Sequence, residues 1–385
     1  MRRHNLSTIL RLVHRSGPTS RSNLARLTNL NKSTIGALSK ELIDLGLVEE
    51  LVPNRNVRAG RPSRVVAPNE RVIAIAVNPE VGAVSIGIVA LGGKIIRRVR
   101  YKIQRSPSVA EAVNLSAAFV DGMRAELERD FRVVGVGVAV PGAFHSPDGV
   151  IGVAPHLGWA HEPIVEMLEE ATGFPVFADN DARLGSLAER NFGVGRGVDD
   201  FIYINGWDHG IGGGIITGGN AVSGFSGYAG AFGHVKATES TNTDSAGISG
   251  TLEAEVTRSA LLDALGLEDA DSDELEQALL ASTSSRVREV VEHQLDYLAT
   301  TLGNIVNILN PELIVLGGFL ASLFAVDPQH LERGVAARAL PPVEIRPSGL
   351  GFNLLLIGAA ELVFENLLDD PAQIREIGVS SASLA

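Results

Sequence analysis

The 385 residues exceed one small core, and with 45% hydrophobic and 20% charged content they read as two or three soluble globular domains; the absence of cysteine excludes disulfides, thiolate zinc sites, iron–sulfur clusters and cysteine nucleophiles. No run approaches eighteen consecutive apolar residues, and the basic N-terminus is interrupted by Arg11, His14 and Arg15 with no small-residue cleavage site, so neither a membrane partner nor a secretory signal is expected and the chain reads as cytoplasmic. The net charge of −12 divides unevenly: residues 1–71 hold 13 of the 33 Lys+Arg and 5 of the 45 Asp+Glu, which makes a basic head of +8 on an acidic body of −20.

Leu6, Ile9, Leu10 and Val13 recur at helical spacing and predict a first helix, broken by Gly17-Pro18. Thr19 or Ser20 can cap a second helix to about residue 27. A third runs over about 32–45, with Ile35, Leu38 and Leu42 inward and Gly46 as its stop. Residues 47–51 and 65–66 read as paired strands around a basic loop. Three short helices and a basic two-stranded wing make a winged helix-turn-helix over residues 1–68. Its third helix would enter the major groove of double-stranded DNA with Lys32, Ser33, Thr34, Ala37 and Lys40 outward. Arg21 and Lys32 would anchor phosphates, Arg58 and Arg61 in the loop suit a minor groove, and Arg55 of the same loop is a further DNA-binding candidate. The alternative is a three-helix dimerisation or protein-binding module whose charges are merely solvated.

From Arg71 the pattern changes to strands over 72–77, 84–91 and 94–103, a helix over 108–129 and a glycine-rich strand over 133–140. A helix over 162–172, a strand over 175–178, a helix over 182–191 and strands over 201–205 and 213–217 follow. Helices near 252–265 and 286–309 precede a strand over 313–316 ending at Gly317-Gly318. This alternation predicts an α/β fold with ligands at the Gly-rich strand ends.

These turns carry a family resemblance. Gly210-Ile211-Gly212-Gly213-Gly214-Ile215 with Gly224, Gly230 and Gly233-His234 resembles the signature of the ROK family of sugar kinases and repressors. Residues 154–159 (Ala-Pro-His-Leu-Gly-Trp), Asn180-Asp181-Ala182 and the strand from Asn310 to Gly318 resemble further motifs in family order, and the segment through Gly60-Arg61-Pro62 is similar to the repressor branch. The resemblance implies a two-lobed actin/hexokinase-like (ribonuclease H-like) ATPase fold over 69–385. One lobe would span about 69–190 with the C-terminal segment, the other about 191–360, with the ligand between them.

By resemblance, Asn180, Asp181, His234 and Glu253 would bind sugar hydroxyls, with His156 in place of a family Asn. Ala231 replaces a sugar-binding carboxylate. Residue-level alternatives stand beside these roles: Asp181 as a helix cap, Glu253 as a charge at a helix start, His156 and His234 as core histidines, and the glycine run as tight sheet geometry. The kinase phosphate turns are altered: Asn78, Glu80 and Val81 stand in the first, Asp208 in the second. A carboxylate where phosphate oxygens would sit argues against nucleotide, so no catalytic residue and no cofactor are expected. The family's zinc cysteines correspond to Asp244, Ala246 and Thr251, so no metal is expected and hydrogen bonds must hold that loop if it is ordered. The expectation is a transcriptional repressor, a homodimer or homotetramer on a two-fold operator, controlled by a carbohydrate effector. The alternative is an active sugar kinase with an appended DNA-binding head.

Overall fold

Residues 1–51, 64–145, 150–207, 210–225 and 227–374 are described by a computed structural model of the chain. Helix α1 (Arg2–Ser16) buries Leu6, Ile9, Leu10 and Val13, and Gly17, at φ 69°, ends it. Strand β1 (Thr19–Ser20) leads into α2 (Arg21–Thr28), whose cap is Ser20: its hydroxyl accepts the Asn23 N–H at 3.2 Å. Asn29, left-handed at φ 55°, closes α2, and Asn31 caps α3 (Lys32–Asp44) by accepting the Thr34 N–H at 2.8 Å. Strands β2 (Val48–Leu51) and β3 (Val65–Pro68) complete an antiparallel sheet in the order β1-β3-β2. This is a winged helix-turn-helix, with the short β1 added to the wing.

The first lobe is a five-stranded sheet in the order β11-β7-β4-β5-β6, built from β4 (Val72–Glu80), β5 (Ala83–Ala90), β6 (Ile95–Lys102), β7 (Arg132–Val140) and β11 (Val176–Asn180). Helices α4 (Val109–Asp130) and α5 (Ile164–Thr172) cover one face. A small antiparallel sheet of β8 (Ala143–His145), β9 (Val150–Ala154) and β10 (Trp159–Glu162) stands at one end. Helix α6 (Asp181–Phe192) leaves this lobe and packs on the second sheet, ordered β14-β13-β12-β15-β16. Its strands are β12 (Phe201–Trp207), β13 (Gly210–Thr217), β14 (Asn220–Ala221), β15 (Leu313–Gly318) and β16 (Glu344–Pro347). Helices α7 (Leu252–Glu255), α8 (Arg258–Leu265), α9 (Ser272–Ala281), α10 (Ser285–Leu309), α11 (Phe319–Val326) and α12 (Pro328–Ala336) accompany the second sheet. Most of them pack on its far face. The single helix expected near 252–265 is broken at Val256-Thr257, where the Thr257 hydroxyl caps α8 by accepting the Ala260 N–H.

The C-terminal helix α13 (Leu354–Asp369) returns to pack on β4, β7 and α6. It is long and apolar enough by composition to cross a membrane, yet its apolar side chains from Leu354 to Leu368 form the core between the two sheets. Gly137 on β7 permits this contact, since a Cβ there would lie 1.9 Å from the Ala359 carbonyl oxygen. The same buried cluster continues without a break into Leu6, Ile9, Leu10 and Val13 of α1. Arg3 and Arg11 pair with Asp370 and Asp369, each at 2.5 Å, beside the C-terminal end of α13. The head is thus packed onto the body rather than tethered to it.

Candidate functional site

On the head, the sequence-predicted side chains of α3 share an outer face: Lys32, Ser33, Ala37 and Lys40 are exposed and Thr34 is half-buried, while Ile35, Leu38 and Leu42 point inward. Lys40 is paired with the exposed Asp44 at 2.7 Å. Arg21 does not stand free as the expected phosphate anchor. Its guanidinium, three-quarters buried, is paired with Glu50 of β2 at 2.8 Å, and Arg64 shares that carboxylate at 2.6 Å. A cation already neutralised by a wing carboxylate has less attraction left for DNA. Arg55, Arg58 and Arg61 lie outside the described residues.

Between the lobes lies a cavity of about 410 Å³, and His156, Asn180, Asp181, His234 and Glu253 all line it. Asn180 ends β11 and caps α6: its Oδ1 accepts the Arg183 N–H at 3.0 Å, and its Nδ2 donates to the Gly142 carbonyl at 2.8 Å. The capping role considered for Asp181 therefore belongs to its neighbour. Asp181, buried at the first position of α6, accepts through Oδ1 from the Ala182 N–H at 2.7 Å and from Asn180 Nδ2 at 3.3 Å. No described residue donates to its Oδ2. Burial pushes its carboxyl up to about 7, against the opposing pull of the backbone N–H groups. Near neutrality it can therefore donate or accept a hydrogen bond to a ligand hydroxyl.

Glu253 is more committed than expected. Its Oε2 accepts the Ile211 N–H at 2.9 Å, and its Oε1 takes Ser245 through N–H at 3.2 Å and hydroxyl at 2.5 Å. It holds the start of β13 to the 244–251 loop as well as lining the cavity. That same loop is organised by Asp244. Its Oδ1 accepts the Ala246 and Ile248 N–H groups at 2.9 and 2.8 Å, and its Oδ2 takes Thr251 Oγ1 at 3.0 Å and His234 Nδ1 at 2.8 Å. Burial works against the Asp244 charge, but these bonds outweigh it and keep the carboxyl below its usual range. An ionised Asp244 makes Nδ1 of His234 the donor, leaving Nε2 without a partner among the described residues. Of the three positions matching family zinc cysteines, Asp244 thus bonds His234 directly, and Ala246 and Thr251 both bond Asp244. Among the described residues no group of three or more His, Asp or Glu could hold a metal.

The glycine run builds β13 at close quarters. A Cβ on Gly213 would meet the Phe232 ring at 2.5 Å, and one on Gly230, at φ 98°, would meet the Gly213 carbonyl oxygen at 2.2 Å. His156, half-buried, enters the cavity wall from the turn after β9, where Ser106 Oγ donates to its carbonyl at 3.0 Å. Glu80 closes the β4–β5 hairpin at the cavity edge, its Oε1 accepting from Ser85 Oγ at 2.8 Å and Arg100 Nε at 3.0 Å. Asp208 lies outside the described residues.

The profile of the ROK family matches residues 75–366, from β4 into α13. The chain belongs to the ROK family. Among its relatives, the xylose repressor of Bacillus spizizenii (strain ATCC 23059 / NRRL B-14472 / W23) is 25% identical, the match covering 95% of this chain and 96% of that protein. A solved ROK family transcriptional regulator, homolog of the E. coli Mlc protein, superimposes with a TM-score of 0.77 at 24% identity over 96% of this chain and 97% of its own. The ROK family glucokinase from Streptomyces griseus, in complex with glucose and AMPPNP, gives 0.64 at 23% identity, over 75% of this chain and 98% of its own. The fold is therefore that of a ROK protein, with a winged head before the two lobes.

Within this ROK cavity two further side chains stand out that no motif marks. Asn205 and Trp207 of β12 both line it. Their signal in the sequence is the alternation of β12, where Tyr203, Asn205 and Trp207 fall on one face and Ile202 and Ile204 on the other.

Proposed function

We propose that the chain is a DNA-binding transcriptional regulator, acting as a repressor, whose operator affinity is set by a carbohydrate held between the lobes. The repressor relative that matches along almost the whole chain supports the regulatory half of this reading. The observation that carries the mechanism is the course of α6. It begins in the cavity at Asp181, next to Asn180, and ends at Asn191 and Phe192, against the head. There His14 of α1, fully buried, pairs through Nε2 with Glu361 Oε1 of α13 at 2.8 Å. Asn191 Nδ2 donates to Glu361 Oε2 at 2.5 Å, and the His14 ring meets Phe192 and Phe364 edge-on. A ligand that moves the start of α6 would move the seat of α1, which is the differential contact an effector needs in order to shift an equilibrium.

In this reading Lys32, Ser33, Thr34, Ala37 and Lys40 face the major groove, and a homodimer or homotetramer presents paired heads to a two-fold operator. Asn180, Asp181, His156 and His234 hold the effector, with Glu253 a structural member of the same wall. We place the chain outside the kinases, because Glu80 occupies the hairpin corresponding to a kinase phosphate turn. Its carboxylate would face phosphate oxygens.

The test uses the full chain and a duplex selected by it from random DNA. Specific binding should weaken with salt, and Lys32→Ala should lower the slope of log affinity against log salt by about one. Addition of free sugars should release the DNA, and calorimetry should give no saturable ATP binding. Unselective DNA binding, or sugar-dependent release of ADP, would replace this reading with that of a kinase or a protein-binding module.

A further inference from the structure

The face of β12 toward the cavity carries a row of polar groups with nothing to bond. Tyr203 Oη, both amide atoms of Asn205 and Trp207 Nε1 are all buried from solvent without a hydrogen-bond partner. Asn205 is 1% exposed, and its Oδ1 converges with Tyr203 Oη on Gly317: a Cβ there would lie 2.6 Å from each. A buried donor or acceptor without a protein partner is costly, so four such atoms along one strand beside a cavity mark a place that the polar groups of a ligand can satisfy. Asn205 and Trp207 line the same cavity as Asn180, Asp181 and His234, with apolar Ile211, Ala182 and Leu355 also in the lining, and its volume of about 410 Å³ exceeds what one sugar ring fills. A sugar ring on Asn180, Asp181 and His234 would leave Asn205 and Trp207 still asking for two or more acceptors and one donor.

The lining also limits charge. Among the described lining residues there is no Lys or Arg, and the ionisable acids are Glu80, Asp181 and Glu253. Glu80 is neutralised by Arg100, Glu253 is bonded on both oxygens, and Asp181 is partly protonated near neutrality. Among the described lining residues a phosphate or carboxylate would find no permanently charged cation, only the imidazoles of His156 and His234, with three acids around them.

We infer that Asn205 and Trp207 form a second polar subsite that receives the far end of an uncharged, hydroxyl-rich ligand longer than one sugar ring, a disaccharide or glycoside. This rests on the carbohydrate reading above and narrows its class. Because the Asn205 amide is sealed in the present conformation, the ligand reaches it only by displacing its neighbours. Bonds that exist only in the liganded arrangement are those that let a ligand select that arrangement.

The experiment measures binding of D-xylose, xylobiose, D-glucose, cellobiose, maltose and glucose 6-phosphate to the full chain by calorimetry. At least one disaccharide should bind ten-fold or more tightly than its parent monosaccharide, and glucose 6-phosphate should bind less tightly than glucose. Asn205→Ala should abolish the disaccharide advantage and change monosaccharide affinity less than two-fold. Trp207→Phe, which keeps the ring and removes the N–H, should reduce the advantage and remove any disaccharide-induced shift in indole fluorescence. This second variant serves if the first fails to fold. Monosaccharides binding as tightly as every disaccharide, or an advantage that survives both substitutions, would overturn the subsite alone. Failure of every sugar to bind would overturn the carbohydrate reading with it.

Discussion

At the scale of single residues, Asp181 separates ligand binding from structural roles because its neighbour takes the helix cap. Asn180 bonds the Arg183 N–H, so Asp181→Asn leaves the start of α6 capped. The carboxyl, raised by burial to about 7, binds a proton more tightly in the folded chain than in the unfolded one. Between the ordinary carboxylate range and pH 7 the folded state therefore holds more protons, and stability falls as pH rises through that window. The shift corresponds to at most about 4 kcal/mol at full ionisation. Asp181→Asn removes this loss: its melting temperature relative to wild type should rise between pH 5 and pH 8, and a difference that stays flat would contradict the burial argument. The same variant should bind effector about ten- to a hundred-fold less tightly, the cost of one hydrogen bond to an ionisable group.

At the scale of elements, the 244–251 loop shows how a hydrogen-bond hub can organise a turn where relatives of other composition would use metal. Asp244 accepts from two backbone N–H groups, one hydroxyl and one imidazole. Removing the hub strands four donors, so Asp244→Ala should cost about 2–4 kcal/mol. It should also loosen His234 and weaken effector binding. A chelator should leave the wild-type melting temperature unchanged; a fall of several degrees with EDTA would mean that a metal holds the loop instead. The sequence made some of these elements legible and hid others. The helices of the head were readable from Leu6, Ile9, Leu10 and Val13 and from local stops such as Gly46, because periodicity and capping act over one or two turns. The family motifs marked the cavity wall because Asn180, Asp181, His234 and Glu253 sit on turns fixed by glycine or by caps. β1 was not readable: two residues carry no period, and only pairing of Thr19 with Val66 makes them a strand. Nor was α13, whose side chains are apolar on nearly every side because both sheets and the head bury them. Asn205 and Trp207 were hidden for the opposite reason, as isolated polar positions in an otherwise ordinary strand.

At the scale of the whole molecule, the issue is whether cavity and head form one mechanical unit. The Gly92 N–H donates to His14 Nδ1 at 2.9 Å, so Nε2 carries the ring proton and donates it to Glu361. A neutral imidazole bonded at both nitrogens and gripped between two phenyl rings fixes the angle of α1 on the ends of α6 and α13. His14→Phe keeps an aromatic ring in place but leaves the Gly92 N–H and Glu361 Oε1 unbonded, a loss of about 2–4 kcal/mol at the junction. Glu361→Gln is milder, since Asn191, whose Oδ1 is buried without a partner, can turn its amide to accept from the new NH₂ group. If the junction transmits the signal, His14→Phe should bind effector with the wild-type Kd and still recognise operator. Its operator affinity should then respond to effector much less than that of wild type, and Glu361→Gln should retain most of the response. Coupling between two binding sites is reciprocal, so the factor by which effector weakens operator binding must equal the factor by which operator weakens effector binding. Measuring both factors on each variant distinguishes lost coupling from lost folding: a merely destabilised protein keeps the wild-type factor in its folded fraction. A full wild-type factor in His14→Phe would place the transmission elsewhere, through the ion pairs of Arg3 and Arg11 with Asp370 and Asp369 or through the sheet.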